Sequence, residues 1–427
     1  MTSRENCRDA PREEQHPELN NTGWGGASFP VRFLSEVLAL RHRSFMNHIH
    51  VERREDAGEL ADALADAERI ALDCEAAGFH RYSDRLCLVQ VTVDGATWTI
   101  DPLAFDLTEL LRDALESADL PIVMHGADFD LRLLSRDLGI RVRGLQDTQI
   151  YAALLGEEGL GLASLLESRF GVELAKKYQR ADWAERPLTE DMLEYAASDT
   201  MYLERLLDVL SEELGVMGRS TWATEECLAL ESVSATATNE DRQPVDPVTR
   251  IKGVRHLPIR EVAAIRTALS WRDDIARQRD RAVFRVIGDK PLIESVGAHP
   301  RRVEDLLAIK GFPTGLARAE GKVLIRRLRA IRESDEADLI PYPKGIRRGP
   351  ARPPPELEAA VERLKAVRNS IAERIGLPRG TLLSNAALLD IARVKPLTLE
   401  DLVSVEAMRA WKIELAGEAL LGALRND

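Results

Sequence analysis

The second half of the chain repeats itself at a constant spacing of 96 residues. Residues 272–309 match residues 368–405 without a gap, and Glu-Asp-Leu at 304–306 recurs at 400–402. Both copies predict helices only. A repeat of this kind predicts two similar all-α domains in succession, which leaves the preceding residues to form a separate domain.

The sequence before the repeat alternates between predicted strands and helices. The stretches IALDCE, RLCLVQVTV and ATWTID predict three strands between residues 70 and 101, separated by turn residues such as Asp-Gly. A helix over residues 107–118, the short strand PIVMHG and a helix ending at Gly139 follow. The longest predicted helix begins at Thr189 and continues to residue 214. This alternation predicts an α/β domain with antiparallel hairpins at its start.

Changes in composition divide the chain into six segments. Polar stretches with Pro, Gly and Asn predict disorder, and proline-rich basic stretches predict extended linkers. We expect a disordered extension at 1–48, an α/β domain at 49–231, a linker at 232–256, a first helical domain at 257–338, a proline-rich basic linker at 339–356 and a second, diverged helical domain at 357–427.

Charge is distributed unevenly along the chain. Residues 1–249 contain 24 Lys and Arg against 47 Asp and Glu, whereas residues 250–352 contain 24 against 13. An acidic front joined to a basic middle is typical of a metal-using catalytic domain tethered to a phosphate-binding one. The alternative, from charge alone, is a set of solvated helix faces of opposite sign.

The composition also bears on where such a protein works. No apolar run in the sequence approaches the roughly 20 residues of a membrane span. Cys7, Cys74, Cys87 and Cys227 have neither metal-ligand nor disulfide-framework spacing, so we expect reduced thiols. The prediction is a cytoplasmic protein without a membrane partner, monomeric by default and without an obligate protein partner.

Two carboxylates interrupt the most apolar of the predicted strands. Asp73 and Glu75 in IALDCEAAGF are separated by one residue, so a strand points both side chains to the same face. Buried like charges are costly unless a proton or a cation lies between them. A cation site formed with other parts of the chain would resolve this conflict.

Two further acids can complete such a site. Asp130 lies near the start of the helix after PIVMHG, and Tyr195 and Asp199 share one face of the last predicted helix. Four carboxylates without His or Cys are oxygen ligands that suit Mg²⁺ or Mn²⁺. Two such ions about 4 Å apart activate a water and stabilise the leaving oxygen of a phosphodiester. Tyr195 is then placed to orient the attacking water by its hydroxyl.

The order of five motifs closely resembles the ribonuclease D family of 3′–5′ exonucleases. The motifs are IALDCE, RLCLVQV, HGADFDLRLL, LQDTQIYAALL and EYAASDTMYL. This resemblance covers roughly residues 50–215. The helical repeat resembles the HRDC domain that ribonuclease D shares with RecQ-type helicases, with a clear first copy and a diverged second one.

This resemblance implies both a fold and an activity. The fold is an α/β exonuclease domain with a ribonuclease H-like mixed sheet flanked by helices, followed by two all-α HRDC-type domains. The activity is hydrolysis of RNA 3′ ends to 5′-mononucleotides during tRNA 3′-end maturation or similar trimming, on RNA such as tRNA precursors with 3′ extensions. Two divalent metal ions, Mg²⁺ or Mn²⁺, would bind Asp73, Glu75, Asp130 and Asp199, and Tyr195 would position the water.

Other polar residues are candidate RNA contacts. Gln90 and His125 are placed to reach the end of the RNA, with a core amide and a structural hydrogen bond as their alternatives. Basic residues beside the site and on the first helical domain are candidate phosphate contacts, with solvated charges as the alternative. These are Lys176, Lys177, Arg180, Lys310, Lys322, Arg326, Arg327 and Arg329, together with the basic residues of the proline-rich linker.

The residues after Glu75 depart from the family pattern. Many relatives have an aromatic or bulky residue there, whereas this chain has Ala76 and Ala77. We expect Phe79 or Tyr82 to stack on the terminal base instead, with simple packing as the alternative.

Rival functions are compatible with part of this pattern. A DNA exonuclease of the same superfamily would use the same acids, although the chain carries no polymerase or helicase motor motif. A catalytically inactive RNA-binding protein would have no need to keep all four acids and Tyr195. A small-molecule phosphohydrolase would leave the paired helical domains without a purpose. The sequence favours the exoribonuclease over these alternatives.

Overall fold

The computed structural model describes residues 48–236, 245–343 and 354–425. The expectation of disorder at 1–48 falls outside these ranges except for His48, which begins the first strand. The basic positions of the proline-rich linker between 344 and 353 also fall outside them. None of the helices in the described ranges combines the length and the apolarity that crossing a membrane requires.

The first described domain contains a six-stranded sheet flanked by helices. Its strands are β1 (His48–Val51), β2 (Ile70–Ala76), β3 (Leu86–Val93), β4 (Ala96–Ile100), β5 (Ile122–Met124) and β6 (Leu145–Asp147). Its helices are α1 (Gly58–Asp66), α2 (Thr108–Leu115), α3 (Asp128–Asp137), α4 (Thr148–Leu155), α5 (Leu162–Phe170), α6 (Glu190–Thr200), α7 (Leu203–Val216) and α8 (Ser220–Thr236). The three strands predicted between residues 70 and 101 are confirmed, whereas β1 and β6 were not predicted.

The strands are ordered β1-β4-β3-β2-β5-β6. β3 pairs antiparallel with both β2 and β4, whereas β1 is parallel to β4, and β5 is parallel to both β2 and β6. Asp94 and Gly95 form the two-residue turn between β3 and β4 with φ angles of 49° and 80°, as a tight hairpin requires. The mixed sheet implied by the family resemblance is confirmed, and β2 lies in its interior.

The longest predicted helix is interrupted once. Thr189 caps its start, because the Thr189 side chain accepts a hydrogen bond from the Met192 N–H. The prediction of one continuous helix is wrong beyond this point, since α6 ends at Thr200 and α7 begins at Leu203. The hydroxyls of Thr200 and of Thr92 on β3 lie 2.8 Å apart, so a hydrogen bond ties the end of α6 to the sheet.

The two helical domains have the same helices at the spacing that the sequence repeat predicts. In the described ranges, the first contains α9 (Ile259–Gln278), α10 (Val283–Val286), α11 (Asp289–Gly297), α12 (Val303–Leu307) and α13 (Thr314–Glu333). The second contains α14 (Pro355–Ile375), α15 (Arg379–Leu382), α16 (Asn385–Val394), α17 (Leu399–Val403) and α18 (Ala410–Arg425), and each begins 96 residues after its counterpart. Arg272 and Arg368 make equivalent bonds, since their Nη1 atoms donate to Ile287 O at 3.0 Å and to Leu383 O at 3.1 Å.

The predicted linker 232–256 is wrong at both ends. α8 continues to Thr236, and two short 3₁₀ helices precede α9. Val248, Ile251 and Val254 are buried in the core of the first helical domain. This segment therefore packs as part of that domain.

The second predicted linker, 339–356, also begins and ends in ordered structure. Leu339 is buried, and Arg266 of α9 donates a hydrogen bond to Ile340 O at 2.8 Å. α14 begins at Pro355, where a proline fits because the first helical residues need no N–H donor.

The hydrophobic cores show how the domains are joined. The first helical domain has a core of its own, whereas the second shares one contiguous core with the α/β domain. Trp222 of α8 stacks on Trp411 of α18, with ring centroids 4.4 Å apart. Glu226 of α8 forms an ion pair with Lys412 at 2.6 Å beside this stack. The second helical domain is therefore packed into the α/β domain itself.

Candidate active site

β2 and α6 bring three of the predicted metal ligands together. Asp73 and Glu75 are separated by one residue on β2, and α6 packs against β2 with Asp199 near its end. One carboxylate oxygen from each of Asp73, Glu75 and Asp199 lies within 4.8 Å of the others. All three side chains are partly buried, so their charges interact in a medium that screens them less than water does.

Asp130, the fourth predicted ligand, is buried in the first turn of α3. The turn before α3 is fixed by Asp147, whose carboxylate accepts hydrogen bonds from the Gly126 and Ala127 N–H groups at 2.9 Å each. The same carboxylate accepts from the Gln149 N–H at 2.8 Å and so caps α4. Asp147 therefore sets the direction in which α3 presents Asp130.

All four carboxylates hold their protons more tightly than ordinary acids do. Burial raises the pKa of Asp73 from 3.8 to about 7, and burial with the charge of Asp73 raises the pKa of Asp199 to about 8. Burial, and then the charges of neighbouring acids, raise the pKa of Glu75 and of Asp130 well above their ordinary values. The charge of Asp130 also raises the pKa of Glu75, so Asp130 acts on the same acids, although among the described residues only Asp73, Glu75 and Asp199 bring their oxygens within 4.8 Å of one another.

The chemistry of this cluster fits divalent cations. Arg132, the one cation that lowers the pKa of Asp130, forms its ion pair with Asp128 at 2.6 Å instead. Across the described part of the chain, no ion pair includes any of the four clustered carboxylates. Hard oxygen donors without a balancing charge match Mg²⁺ or Mn²⁺. A bound cation would reverse the pKa shifts and ionise the acids.

Tyr195 lies one turn before Asp199 on α6. Its buried ring packs against Trp183 and Tyr178, with centroid distances of 6.1 Å and 5.9 Å. Burial, and then the charge of Asp199, raise the pKa of the phenol. The Tyr195 hydroxyl therefore stays protonated at neutral pH and is able to hydrogen-bond a water at the cluster.

An ion pair that was not predicted fixes the segment before α6. Arg186 Nε donates to Asp101 Oδ2 at 2.5 Å, and Arg186 Nη2 donates to Asp101 Oδ1 at 2.8 Å. The same guanidinium donates to Cys87 O at 2.8 Å and to Trp183 O at 2.7 Å. Asp101 directly follows β4. The Arg186 guanidinium therefore joins the sheet to the backbone of Trp183, whose ring packs against Tyr195. The Arg-Pro-Leu step before Thr189 was the available sequence signal.

The structure argues against the predicted contact between Gln90 and RNA. It lies directly opposite Asp73 across the β2–β3 pair and is fully buried. Neither of its amide atoms has a hydrogen-bond partner among the residues that the structure describes. A buried side chain has no surface for RNA, so the alternative of a core amide describes Gln90 better. Every residue of β3 is buried, because this strand is interior to the sheet.

His125, three residues before α3, makes a structural hydrogen bond to Thr148. The Thr148 hydroxyl donates to Met124 O at 3.1 Å, so His125 Nδ1, which lies 2.9 Å from Thr148 Oγ1, is the donor of their bond. Burial lowers the pKa of His125, which keeps the ring neutral. These contacts favour the structural alternative for His125 over an RNA contact.

The basic residues predicted beside the site have different surroundings. Lys177 forms an ion pair with Asp191 at 3.1 Å, and Lys176 is exposed. The Arg180 guanidinium carbon lies 5.7 Å from the ring centroid of Phe79. Contact of these three residues with RNA stays a prediction.

Tyr82 belongs to the contact between the α/β domain and the first helical domain. The Tyr82 hydroxyl lies 3.1 Å from both carboxylate oxygens of Asp273. Arg277 Nη2 donates to the same hydroxyl at 3.0 Å. The packing alternative therefore describes Tyr82, and Phe79 is left as the candidate for base stacking.

A cationic cavity of about 760 Å³ lies on the first helical domain. Its basic lining residues are Arg301, Arg302, Lys322, Arg326, Arg329 and Arg332. Of the other predicted phosphate contacts, Lys310 is exposed outside this lining, and Arg327 forms an ion pair with Asp274 at 2.8 Å. Arg301 and Arg302 were missed because the fold, and not the local sequence, brings them beside α13, and Arg332 was missed although it lies on α13 itself.

A mixed sheet that carries clustered carboxylates next to a tyrosine, with two helical domains appended, defines a 3′–5′ exonuclease. Comparison with protein-family models supports this class. Residues 49–215 match the 3′–5′ exonuclease family, and residues 263–333 and 358–424 match the HRDC domain.

Individual relatives narrow the class further. Ribonuclease D of Pseudomonas paraeruginosa is 28% identical over 362 residues, which are 84% of this chain and 92% of the relative. Ribonuclease D of a Shewanella species is 30% identical over 273 residues, 64% of this chain and 69% of the relative. The crystal structure of Escherichia coli RNase D matches with a TM-score of 0.61 at 26% identity, covering 89% of this chain and 99% of that one. The chain belongs to the ribonuclease D family of 3′–5′ exoribonucleases.

Proposed function

We propose that this protein is a metal-dependent enzyme that removes nucleotides one at a time from RNA 3′ ends and releases 5′-mononucleotides. The main support is the meeting of Asp73, Glu75 and Asp199 within 4.8 Å, with the buried Asp130 acting on the same acids. Acids held this closely need a compensating charge, and the cluster offers only oxygen donors to bind it.

Two divalent ions held by Asp73, Glu75, Asp130 and Asp199 would supply an activated water and would neutralise charge on the phosphodiester oxygens. The Tyr195 hydroxyl orients that water, since a water that donates a hydrogen bond to it keeps a lone pair directed at the phosphorus. The raised pKa of Tyr195 keeps this group a neutral phenol throughout the physiological pH range.

Bond changes at the phosphorus account for the products. The water oxygen forms a bond to the phosphorus, and the bond to the 3′ oxygen of the preceding nucleotide breaks. The terminal nucleotide leaves with its phosphate on the 5′ oxygen, and the shortened RNA keeps a 3′ hydroxyl after that oxygen takes up a proton. The new end is chemically identical to the old one, so the reaction can repeat.

The cationic cavity of the first HRDC domain is proposed to bind the RNA backbone. Arg301, Lys322 and Arg326 line it together with three further arginines. Contacts of this kind act on phosphates, so they make binding sensitive to salt and largely independent of sequence.

We propose tRNA precursors with 3′ extensions as the substrate class. The relative from Escherichia coli is described as an exoribonuclease involved in structured RNA processing. A tRNA precursor combines a folded body, which the cationic cavity can bind, with a single-stranded 3′ end, which the carboxylate cluster can cut. A DNA exonuclease is the second candidate, because the carboxylate cluster itself does not distinguish the two sugars.

We further propose that the enzyme works as a cytoplasmic monomer. Cys74, Cys87 and Cys227 are buried free thiols, which is typical of a reducing compartment. The exonuclease domain and the second HRDC domain share a core within one chain, so this catalytic unit needs no second copy to bury it.

A denaturing-gel time course tests the proposed function. The substrates are 5′-labelled RNA and DNA of the same sequence with single-stranded 3′ tails, incubated with Mg²⁺, Mn²⁺ or EDTA. We expect metal-dependent shortening of the RNA in single-nucleotide steps, slowed roughly 1,000-fold in Asp73→Asn because that variant loses a metal ligand.

Asp62→Asn is the matched control, because Asp62 is an exposed acid on α1 away from the cluster. This variant should retain the wild-type rate. Preferential shortening of DNA would favour the DNA exonuclease. RNA that is bound but never shortened with any metal would refute the enzyme and favour a catalytically inactive binding protein.

A further inference from the structure

Exposed aromatic side chains surround the cavity beside the carboxylate cluster. This cavity has a volume of about 450 Å³, and its lining includes Glu75, Phe79 and Phe129. Phe79 and Phe129 leave 42% and 43% of their surface exposed. Phenylalanine is among the residues most often buried in proteins. Two exposed rings next to the cluster therefore mark a surface on which a ligand can stack.

The first HRDC domain adds a third exposed ring at this place. Phe284 of α10 is 55% exposed, and its ring centroid lies 5.5 Å from that of Phe79. The guanidinium carbon of Arg285 lies 4.6 Å from the Phe79 centroid, on the same ring that Arg180 approaches. Two domains thus build one surface from aromatic rings and guanidinium groups.

Backbone hydrogen bonds, in addition to the ring contacts, hold this surface together. Arg285 Nε donates to Phe79 O at 2.9 Å, and the Ala282 N–H donates to His80 O at 2.9 Å. These bonds join the HRDC domain to the loop after β2. A contact that served packing alone would bury the rings, whereas Phe79 and Phe284 meet each other and still leave 42% and 55% of their surface exposed.

The second HRDC domain lacks the same pair of residues. The positions 96 residues further along carry Gly380 and Thr381 in place of Phe284 and Arg285. Both copies fold with the same helices, so the helical fold itself does not require an aromatic residue and an arginine there. Of the two HRDC domains, the one beside the carboxylate cluster has Phe284 and Arg285, and the other has neither.

We propose that Phe79 and Phe284, with Arg180 and Arg285, form a stacking platform for the unpaired nucleotides next to the RNA 3′ end. Bases of any sequence stack on aromatic faces, and guanidinium groups contact phosphates or stack in turn. With this platform, the first HRDC domain is part of the site that binds the RNA 3′ end. It rests on the proposed function, because it requires the RNA end to lie at the cluster.

Two substitutions of Phe284 separate stacking from packing. Phe284→Leu keeps an apolar side chain but removes the aromatic face, and Phe284→Trp keeps an aromatic face. Each is made in the Asp73→Asn background and in EDTA, so that RNA is bound and not cut. Fluorescence anisotropy then measures the dissociation constant for an RNA hairpin with a four-nucleotide single-stranded 3′ tail and for the same hairpin with a blunt end.

We expect Phe284→Leu to weaken binding of the tailed RNA about 10-fold and Phe284→Trp to preserve it. Binding of the blunt hairpin and the melting temperature should stay unchanged in both variants. The platform is refuted if Phe284→Leu binds the tailed RNA as tightly as the parent protein does. It is equally refuted if binding of both RNAs falls together with the melting temperature, because that pattern indicates a packing role.

The platform and the proposed function can fail separately. If the wild-type protein shortens RNA but Phe284→Leu binds the tailed RNA normally, the platform is wrong and the exoribonuclease stands. If the wild-type protein shortens no RNA with any metal while Phe284→Leu still loses affinity for the tailed RNA alone, the enzyme proposal fails and the platform stands.

Discussion

Burial of the carboxylate cluster, together with the charge of Asp73 on Asp199, makes the metal-free protein sensitive to pH. Asp73 and Asp199 have pKa values of about 7 and about 8, against 3.8 for an ordinary aspartate. Between about pH 4 and pH 8 the folded protein therefore binds more protons than the unfolded chain does. The free energy of unfolding of the metal-free protein should fall as the pH rises through that range.

Asp73→Asn should weaken this dependence, because it removes one of the repelling charges. At pH 8 without metal, we expect the variant to melt roughly 2–5 °C above the wild-type protein. Calorimetry at pH 5 and pH 8 in EDTA, repeated with excess Mn²⁺, measures both effects. Mn²⁺ should stabilise the wild-type protein more than the variant. A metal-free wild-type protein that becomes more stable from pH 5 to pH 8 would contradict the cluster electrostatics.

Tyr195→Phe should reduce turnover without weakening RNA binding. The phenylalanine ring keeps the packing against Trp183 and Tyr178, so only the hydroxyl that we propose orients the water is lost. We expect kcat to fall about 10- to 100-fold while KM changes less than about twofold. Single-turnover and steady-state kinetics on a short RNA give both constants. A raised KM with an unchanged kcat would instead assign Tyr195 to substrate binding.

The residues of the cluster could be predicted from the sequence because each depends on local geometry. The spacing of Asp73 and Glu75 on a strand, and of Tyr195 and Asp199 on a helix, fixes which side chains share a face. Gln90 could not be placed in the same way. Its burial depends on α6, which packs against β3 but lies about 100 residues further along the sequence.

Individual elements were predictable where the pattern was long and regular. The repeat predicted the spacing of equivalent HRDC helices, since a gapless repeat keeps every helix at the same offset of 96 residues. The strand β6 was missed because its three residues, Leu-Gln-Asp, include a single apolar side chain, whereas the equally short β5 is entirely apolar. The ends of the linkers were missed because burial of residues such as Val248 comes from tertiary contacts.

Arg186 holds the segment before α6 in place, because it binds both Asp101 and the carbonyl of Trp183. We expect it to position Tyr195 through the Trp183 ring. Asp101 is buried, so Arg186→Met leaves an uncompensated buried charge, which costs about 3–5 kcal/mol of folding stability. The same change frees the Trp183 carbonyl and loosens the ring packed against Tyr195. We therefore expect kcat to fall several-fold, with KM nearly unchanged, in kinetics on short RNA.

A second substitution separates stability from positioning in this element. Adding Asp101→Asn to Arg186→Met removes the unpaired charge, so denaturant unfolding should recover part of the lost stability. The low kcat should persist, because the guanidinium that binds the Trp183 carbonyl is still absent. Recovery of kcat together with stability would show that Arg186 acts only on folding.

At the scale of the whole molecule, the two HRDC domains are joined to the exonuclease domain in different ways. The first has its own core and meets the exonuclease domain through polar contacts such as Tyr82 with Asp273. The second continues the exonuclease core. One sequence cannot predict this difference, because Trp222 and Trp411 meet only once both domains have folded.

This difference predicts two separate unfolding transitions in the full chain. Trp411 is buried, stacks on Trp222, and donates from its indole nitrogen to Glu226 at 3.0 Å. Trp411→Ala should therefore destabilise the exonuclease unit by about 3–5 kcal/mol. Trp271→Ala is the matched change in the core of the first HRDC domain, and it should lower the other transition.

Binding of Mn²⁺ identifies which transition belongs to the exonuclease unit, because a ligand stabilises the unit that binds it. Scanning calorimetry of the full chain should show that Trp411→Ala lowers the transition that Mn²⁺ raises. Trp271→Ala should leave that transition in place and shift the metal-insensitive one. A single transition that both substitutions lower equally would mean that the first HRDC domain is as tightly coupled to the exonuclease core as the second.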